Sequence, residues 1–279
     1  MSATSAFLPL GSGVLALAAA FVARAAPVPP DPALAGEVAA VARLAIYFGH
    51  QSVGGNVLEG VRRLAAREGV PLHLVEAPSA AGVPRGTWAH GLVGENGSPE
   101  RKIEAFARAL DGGAGDVDVA FMKLCYVDFH AGTDPVALFA RYRAALRELG
   151  RRHPHTTFVH VTAPLTTSPG GTKALVKRLL GRESNEVQNA RRERFNALMR
   201  EAFAGREPLF DLARLESTRP DGGAETVAWR GEVVPALVEA YSDDGGHLNA
   251  AGQDRVARAL VAFLAALPAS PPPPIREER

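Results

Sequence analysis

The chain alternates strand-like and helix-like segments, and that alternation most constrains its fold. Apolar runs at 42–48, 70–77, 117–127, 156–164 and 207–215 read as strands. Helical periodicity covers Val57 to Glu68, Pro99 to Leu110, Pro135 to Arg152, Glu186 to Phe203 and Asn249 to Leu267. Ser98-Pro99-Glu100 and Thr133-Asp134-Pro135 have the form of helix starts, a capping side chain followed by proline in the first turn. Apolar strands alternating with helices predict a mostly parallel five-stranded sheet covered on both faces, an α/β/α three-layer sandwich. In such sheets ligands bind at the carboxyl ends of the strands.

The ends lie outside that pattern. Residues 1–25 read as a secretory signal peptide: a small-residue apolar run, then Ala23-Arg24-Ala25 in the form of a cleavage site. Its first residues lack Lys and Arg, so the alternative is an uncleaved N-terminal membrane segment, the one membrane contact foreseen. Both place the domain outside the cytoplasm, secreted or periplasmic. Residues 26–40 read as a Pro/Ala-rich linker, 41–267 as the folded domain, and 268–279 as a disordered Pro-rich tail. The single cysteine, Cys125, excludes an internal disulfide and any multi-cysteine zinc site. A net charge of +1 gives no reason to expect a nucleic-acid partner.

The stretch Gly49-His50-Gln51-Ser52-Val53-Gly54-Gly55-Asn56 follows the first strand. It lacks the Gly-Lys-Ser/Thr ending of a phosphate loop and the spacing of a dinucleotide site. Its glycines would let the chain turn sharply off the strand, leaving Ser52 at a helix start where backbone N–H groups face outward. A nucleophilic serine needs a base and an orienting acid. Asp244-Gly245-Gly246-His247, just before the last helix, offers both: the carboxylate can reach one imidazole nitrogen and leave the other free.

The Gly-flanked serine after the first strand and the Asp-x-x-His before the last helix resemble the SGNH/GDSL hydrolase family, in element order over roughly residues 42 to 266. The resemblance implies a flavodoxin-like fold and a triad of Ser52, His247 and Asp244. The family's second block supplies a glycine N–H to the oxyanion hole. Gly94 and Gly97 are the candidates, with Gly97 favoured because it precedes the capped helix start. The third block should supply an asparagine amide, but that position is Val127 here, so Asn96, or else Asn56, is expected to substitute. His50 and Tyr126 are further candidates for contact with substrate.

Lys123 lies in an apolar strand, where a structural ion pair is expected, and Cys125 reads as a small buried hydrophobe. His153 and His155 fall in a turn before the fourth strand, at the end away from the carboxyl edge, and His160 lies within that strand, so neither a metal site nor a cofactor is expected. The implied function is an extracytoplasmic esterase acting on small-molecule or polysaccharide esters, carbohydrate-ester deacetylation among them. The alternative, motivated by Val127, is a weak or inactive carbohydrate-binding or assembly protein on the same fold.

Overall fold

The computed structural model describes residues 30–112, 117–168 and 184–268. Residues 1–25, read above as a signal peptide, and the C-terminal tail beyond 268 lie outside the described residues. No helix among the described residues is long and apolar enough to cross a membrane.

In chain order the elements are α1 (Pro32–Val41), β1 (Ala45–His50), α2 (Val53–Arg67), β2 (His73–Glu76), β3 (Thr87–Leu92), α3 (Pro99–Asp111), β4 (Val119–Met122), α4 (Pro135–Arg152), β5 (Thr157–Val161), α5 (Asn185–Phe203), β6 (Leu209–Phe210), α6 (Leu212–Ser217), β7 (Thr226–Trp229), β8 (Glu232–Pro235) and α7 (Ala250–Ala265). β1 to β6 form one sheet in the order β2-β3-β1-β4-β5-β6, with every pair parallel. β1 lies inside it, buried along its whole length. Side chains alternate across a strand. Ile46 and Phe48 accordingly join the core layer under α1, α2 and α7, while Ala45 and Tyr47 join the layer under α3, α4 and α5. This is the expected three-layer α/β/α sandwich.

Several boundaries differ from the expectation. The sheet has six strands, because Thr87–Leu92 enters between β2 and β1. Residues 32–41 are a helix, not a linker: Asp31 accepts hydrogen bonds from Ala33 N and Leu34 N, and Leu34, Val38 and Val41 bury one stripe. The close of that helix takes up residues 42–44 and delays β1 to Ala45. The segment read as a strand at 207–215 pairs only at Leu209–Phe210. Asp211 then caps α6, accepting from Arg214 N, and is gripped by Arg200. The antiparallel hairpin β7–β8 was not foreseen.

The added strand matters for function. β3 ends beside β1, with His50 paired to Leu92, so the loop carrying Gly94 to Gly97 leaves the same sheet edge as Ser52.

Candidate active site

Ser52 stands at the N-cap of α2, directly after β1 and Gln51. Its side chain caps nothing and makes no hydrogen bond among the described residues, and the residue is exposed. Its N–H is also without a partner among them. Gly49 and Gly54 serve close packing, not a left-handed turn, since neither has positive φ. A Cβ on Gly49 would lie 2.7 Å from the Phe106 ring, and one on Gly54 would lie 2.3 Å from the His50 Cβ. Glycine here lets α2 start directly above the strand it follows.

The Asp244–His247 loop is closely determined. Asp244 Oδ2 meets His247 Nδ1 at 2.6 Å, while its Oδ1 accepts from Gly246 N at 2.9 Å and His247 N at 2.8 Å. Gly245 supplies the positive φ of 88° that the turn requires. Burial pushes the Asp244 pKa up, but the bonds from the imidazole and the two N–H groups outweigh it and hold the carboxyl well below its ordinary range. The Asp244 bond fixes the proton on Nδ1 and leaves Nε2 as an acceptor. Nε2 lies 3.5 Å from the Tyr126 hydroxyl.

Supports reach this loop from both sides. Asn189 and Asn196 on α5 hydrogen-bond the backbone of Thr166 and Ala163 through both amide atoms, as a neighbouring strand would. Thr167 N then donates to Gly245 O at 2.9 Å. From α2, Asn56 Oδ1 accepts from Leu248 N at 3.3 Å, tying the serine's helix to the residue after His247. No hydrogen bond joins Ser52 to His247 among the described residues. The structure brings them to one edge on linked segments.

The oxyanion candidates separate clearly. Gly97 N donates to Asp128 Oδ1 at 2.9 Å, so the favoured glycine is already engaged. Gly94 has positive φ, and its N–H has no partner among the described residues. The Gln51 amide grips Gly94 O at 2.9 Å and Val93 O at 3.3 Å, holding that loop to the residue before Ser52. Asn96 Oδ1 accepts from Lys102 Nζ at 3.0 Å, which leaves its NH2 group open. Asn56 Oδ1 is engaged by the His247 loop, and its NH2 group, like that of Asn96, has no partner among the described residues. Val127 is 39% exposed at the position of the missing asparagine.

His50 belongs to the core and not to the substrate face. It ends β1 at 4% exposure, stacks on Phe48 and meets His90 Nδ1 through Nε2 at 3.2 Å. Burial, with His90 and Lys123 nearby, lowers its pKa to about 3, so it stays neutral. Lys123 is fully buried and, contrary to expectation, makes no ion pair among the described residues: its Nζ donates to Leu124 O at 3.3 Å and approaches Cys125 Sγ at 3.6 Å. Burial depresses its pKa. The buried pair belongs instead to Lys102 and Asp128, whose two carboxylate oxygens both lie 2.8 Å from Nζ. Asp128 also accepts from Cys125 N at 2.6 Å, so one carboxylate ties the loop after β3 to the turn after β4. Lys102 carries a readable sign of this role. It precedes Phe106 and Ala109 by four and seven residues, on the buried stripe of α3. His160, inside β5, bonds Tyr142 and Glu207.

No protein-family model and no curated protein matches the sequence. Solved structures do. A putative platelet activating factor from Streptococcus pneumoniae aligns over 83% of this chain and 91% of its own, with a TM-score of 0.50 and 15% identity. A GDSL-like lipase from Bacteroides thetaiotaomicron aligns over 84% and 97%, with a TM-score of 0.49 and 14% identity. A putative acylhydrolase from Bacteroides fragilis aligns over 86% and 90%, with a TM-score of 0.48 and 14% identity. Likeness at such identity concerns the fold alone. The chain shares the fold of the Streptococcus pneumoniae protein, a mostly parallel sheet flanked by helices on both faces.

Proposed function

We propose that this protein is a serine hydrolase that cleaves carboxylic esters through an acyl-enzyme. The observation that carries the reading is the Asp244–His247 pair at 2.6 Å, with Nε2 left as an acceptor, on a loop tied through Asn56 to the helix whose N-terminus holds an exposed, uncommitted Ser52 hydroxyl. His247 Nε2 takes the proton of Ser52 Oγ as that oxygen bonds the ester carbonyl carbon. The tetrahedral intermediate collapses, the carbon–oxygen bond to the alcohol breaks, and His247 gives its proton to the departing oxygen. Water, losing a proton to the same nitrogen, then releases the acid and restores Ser52. Asp244 holds the tautomer and steadies the imidazolium.

The N–H groups of Ser52 and Gly94 are the backbone donors for the oxyanion in this reading, with the open amide of Asn96 as the side-chain donor. Gly94 takes the place expected of Gly97, whose N–H serves Asp128. The N-terminal sequence supports export, and with it small-molecule or polysaccharide esters outside the cytoplasm as substrates. The test is hydrolysis of a short-chain nitrophenyl ester by the purified protein. Ser52→Ala and His247→Ala each abolish it, by similar factors, because members of a triad act as a unit. Full activity in Ser52→Ala would sink the assignment. A non-catalytic binding role is the second reading, motivated by Val127 and by the unbonded Ser52 hydroxyl, and an inactive wild-type protein would favour it.

A further inference from the structure

Tyr126 is held more firmly than a surface tyrosine requires. It opens the 3-10 turn at Tyr126–Asp128 after β4. Its carbonyl accepts from Arg192 Nε at 3.1 Å and Nη2 at 2.9 Å. Arg192 is itself buried and donates to Thr166 Oγ1 at 2.9 Å. The Tyr126 ring closes over Gly246, where a Cβ would lie 2.8 Å from it. It meets His247 edge-on, with centroids 5.6 Å apart and planes at 76°. The hydroxyl stands 3.5 Å from Nε2, and with the Nδ1 proton committed to Asp244 the hydroxyl is the donor. Burial, then the charge of Asp244, raises the phenol's pKa, so the donor keeps its proton.

We propose that the Tyr126 hydroxyl binds the alcohol oxygen of the ester and steadies it as it leaves. This rests on the triad reading above. During acylation Nε2 serves two oxygens, Ser52 Oγ and the departing alcohol oxygen. The second must come within hydrogen-bond reach of Nε2 to receive its proton, and the Tyr126 hydroxyl is fixed beside that nitrogen. The proton transferred is the one taken from Ser52, and Tyr126 retains its own. Tyr126 is separate from the oxyanion donors. It packs against the core layer of α1, α2 and α7, whereas Gly94 and Asn96 lie on the loop from β3 into α3.

A hydrogen bond to the leaving oxygen matters most when that oxygen is strongly basic. The test therefore compares kcat/KM for p-nitrophenyl acetate and ethyl acetate, which share an acyl group, in wild type, Ser52→Ala and Tyr126→Phe. Phenylalanine keeps the ring and its packing and removes only the hydroxyl. Tyr126→Phe is expected to lose about tenfold or more on the ethyl ester, the worth of one hydrogen bond, and about threefold or less on the nitrophenyl ester. The melting temperature should hold within about 2 °C, roughly the shift that half a kcal/mol gives in a domain of this size. Equal losses on both esters, or none on the ethyl ester, would overturn the leaving-group role while the triad stands. A wild type that hydrolyses neither ester, or a Ser52→Ala that hydrolyses both, would overturn the triad and this role together.

Discussion

Replacing Asp128 with alanine tests how the site is held. Asp128 and Lys102 are both fully buried, and the carboxylate accepts two bonds from the ammonium and one each from Gly97 N and Cys125 N. Asp128→Ala leaves an ammonium in the core and two N–H groups without an acceptor. Breaking one partner out of a buried ion pair costs about 3–5 kcal/mol. The orphaned N–H groups push the loss toward the upper end, at roughly 1–3 kcal/mol for each that stays unsatisfied. At about 2–4 °C per kcal/mol for a domain of this size, the melting temperature should fall by about 6–20 °C. Thermal unfolding followed by circular dichroism reads this directly. Lys102→Met combined with Asp128→Asn removes both charges and should cost less than the two single changes added together. A melting temperature for Asp128→Ala within about 2 °C of wild type would rule out Asp128 as the tie between these loops. The loops after β3 and β4 would then be held by something other than this carboxylate.

Other outcomes follow from the same geometry. Asn96→Ala should lower kcat by about one hundred-fold with little change in KM, as loss of one oxyanion donor does. Asn56→Ala should act through the His247 loop, and wild-type kcat in Asn96→Ala with collapse in Asn56→Ala would reverse the choice. Burial raises the Glu216 carboxyl to about 8, against the partial opposition of Leu165 N–H, Lys123 and Arg192. The unfolded chain releases that proton near the ordinary glutamate value of about 4.3. The folded state thus binds more protons between these values, and this group's stabilising contribution is lost as pH rises through about 8. Urea unfolding at about pH 5 and about pH 8 should show that decline, and Glu216→Gln should flatten it. An unchanged slope in the variant would remove Glu216 as its source.

The parts of the fold that repeat a simple rule were legible in sequence. Apolar strands alternating with capped helices specified the parallel layered sheet, and Asp244-x-x-His247 specified a dyad whose bond is local in the chain. What was missed depends on partners distant in sequence. Thr87–Leu92 contains His90 and Gly91 and carries no long apolar run, yet it is a strand because β1 and β2 flank it. Gly49 and Gly54 suggested a sharp turn, whereas their lack of a side chain answers to Phe106 and His50. The choice between Gly94 and Gly97 turned on Asp128, 31 residues beyond Gly97, which had already claimed one of the two N–H groups. Lys123 looked like the buried ion pair because it interrupts a strand. Lys102, on an otherwise ordinary helix, holds that role.

In the proposed mechanism Ser52 is an activated nucleophile. Treatment with a fluorophosphonate, which reacts with activated serines, followed by peptide mass spectrometry, tests it most directly. One adduct is expected, on Ser52, formed by wild type and lost in both Ser52→Ala and His247→Ala. No adduct on the folded wild-type protein, or an adduct on a different residue that survives in Ser52→Ala, would contradict it.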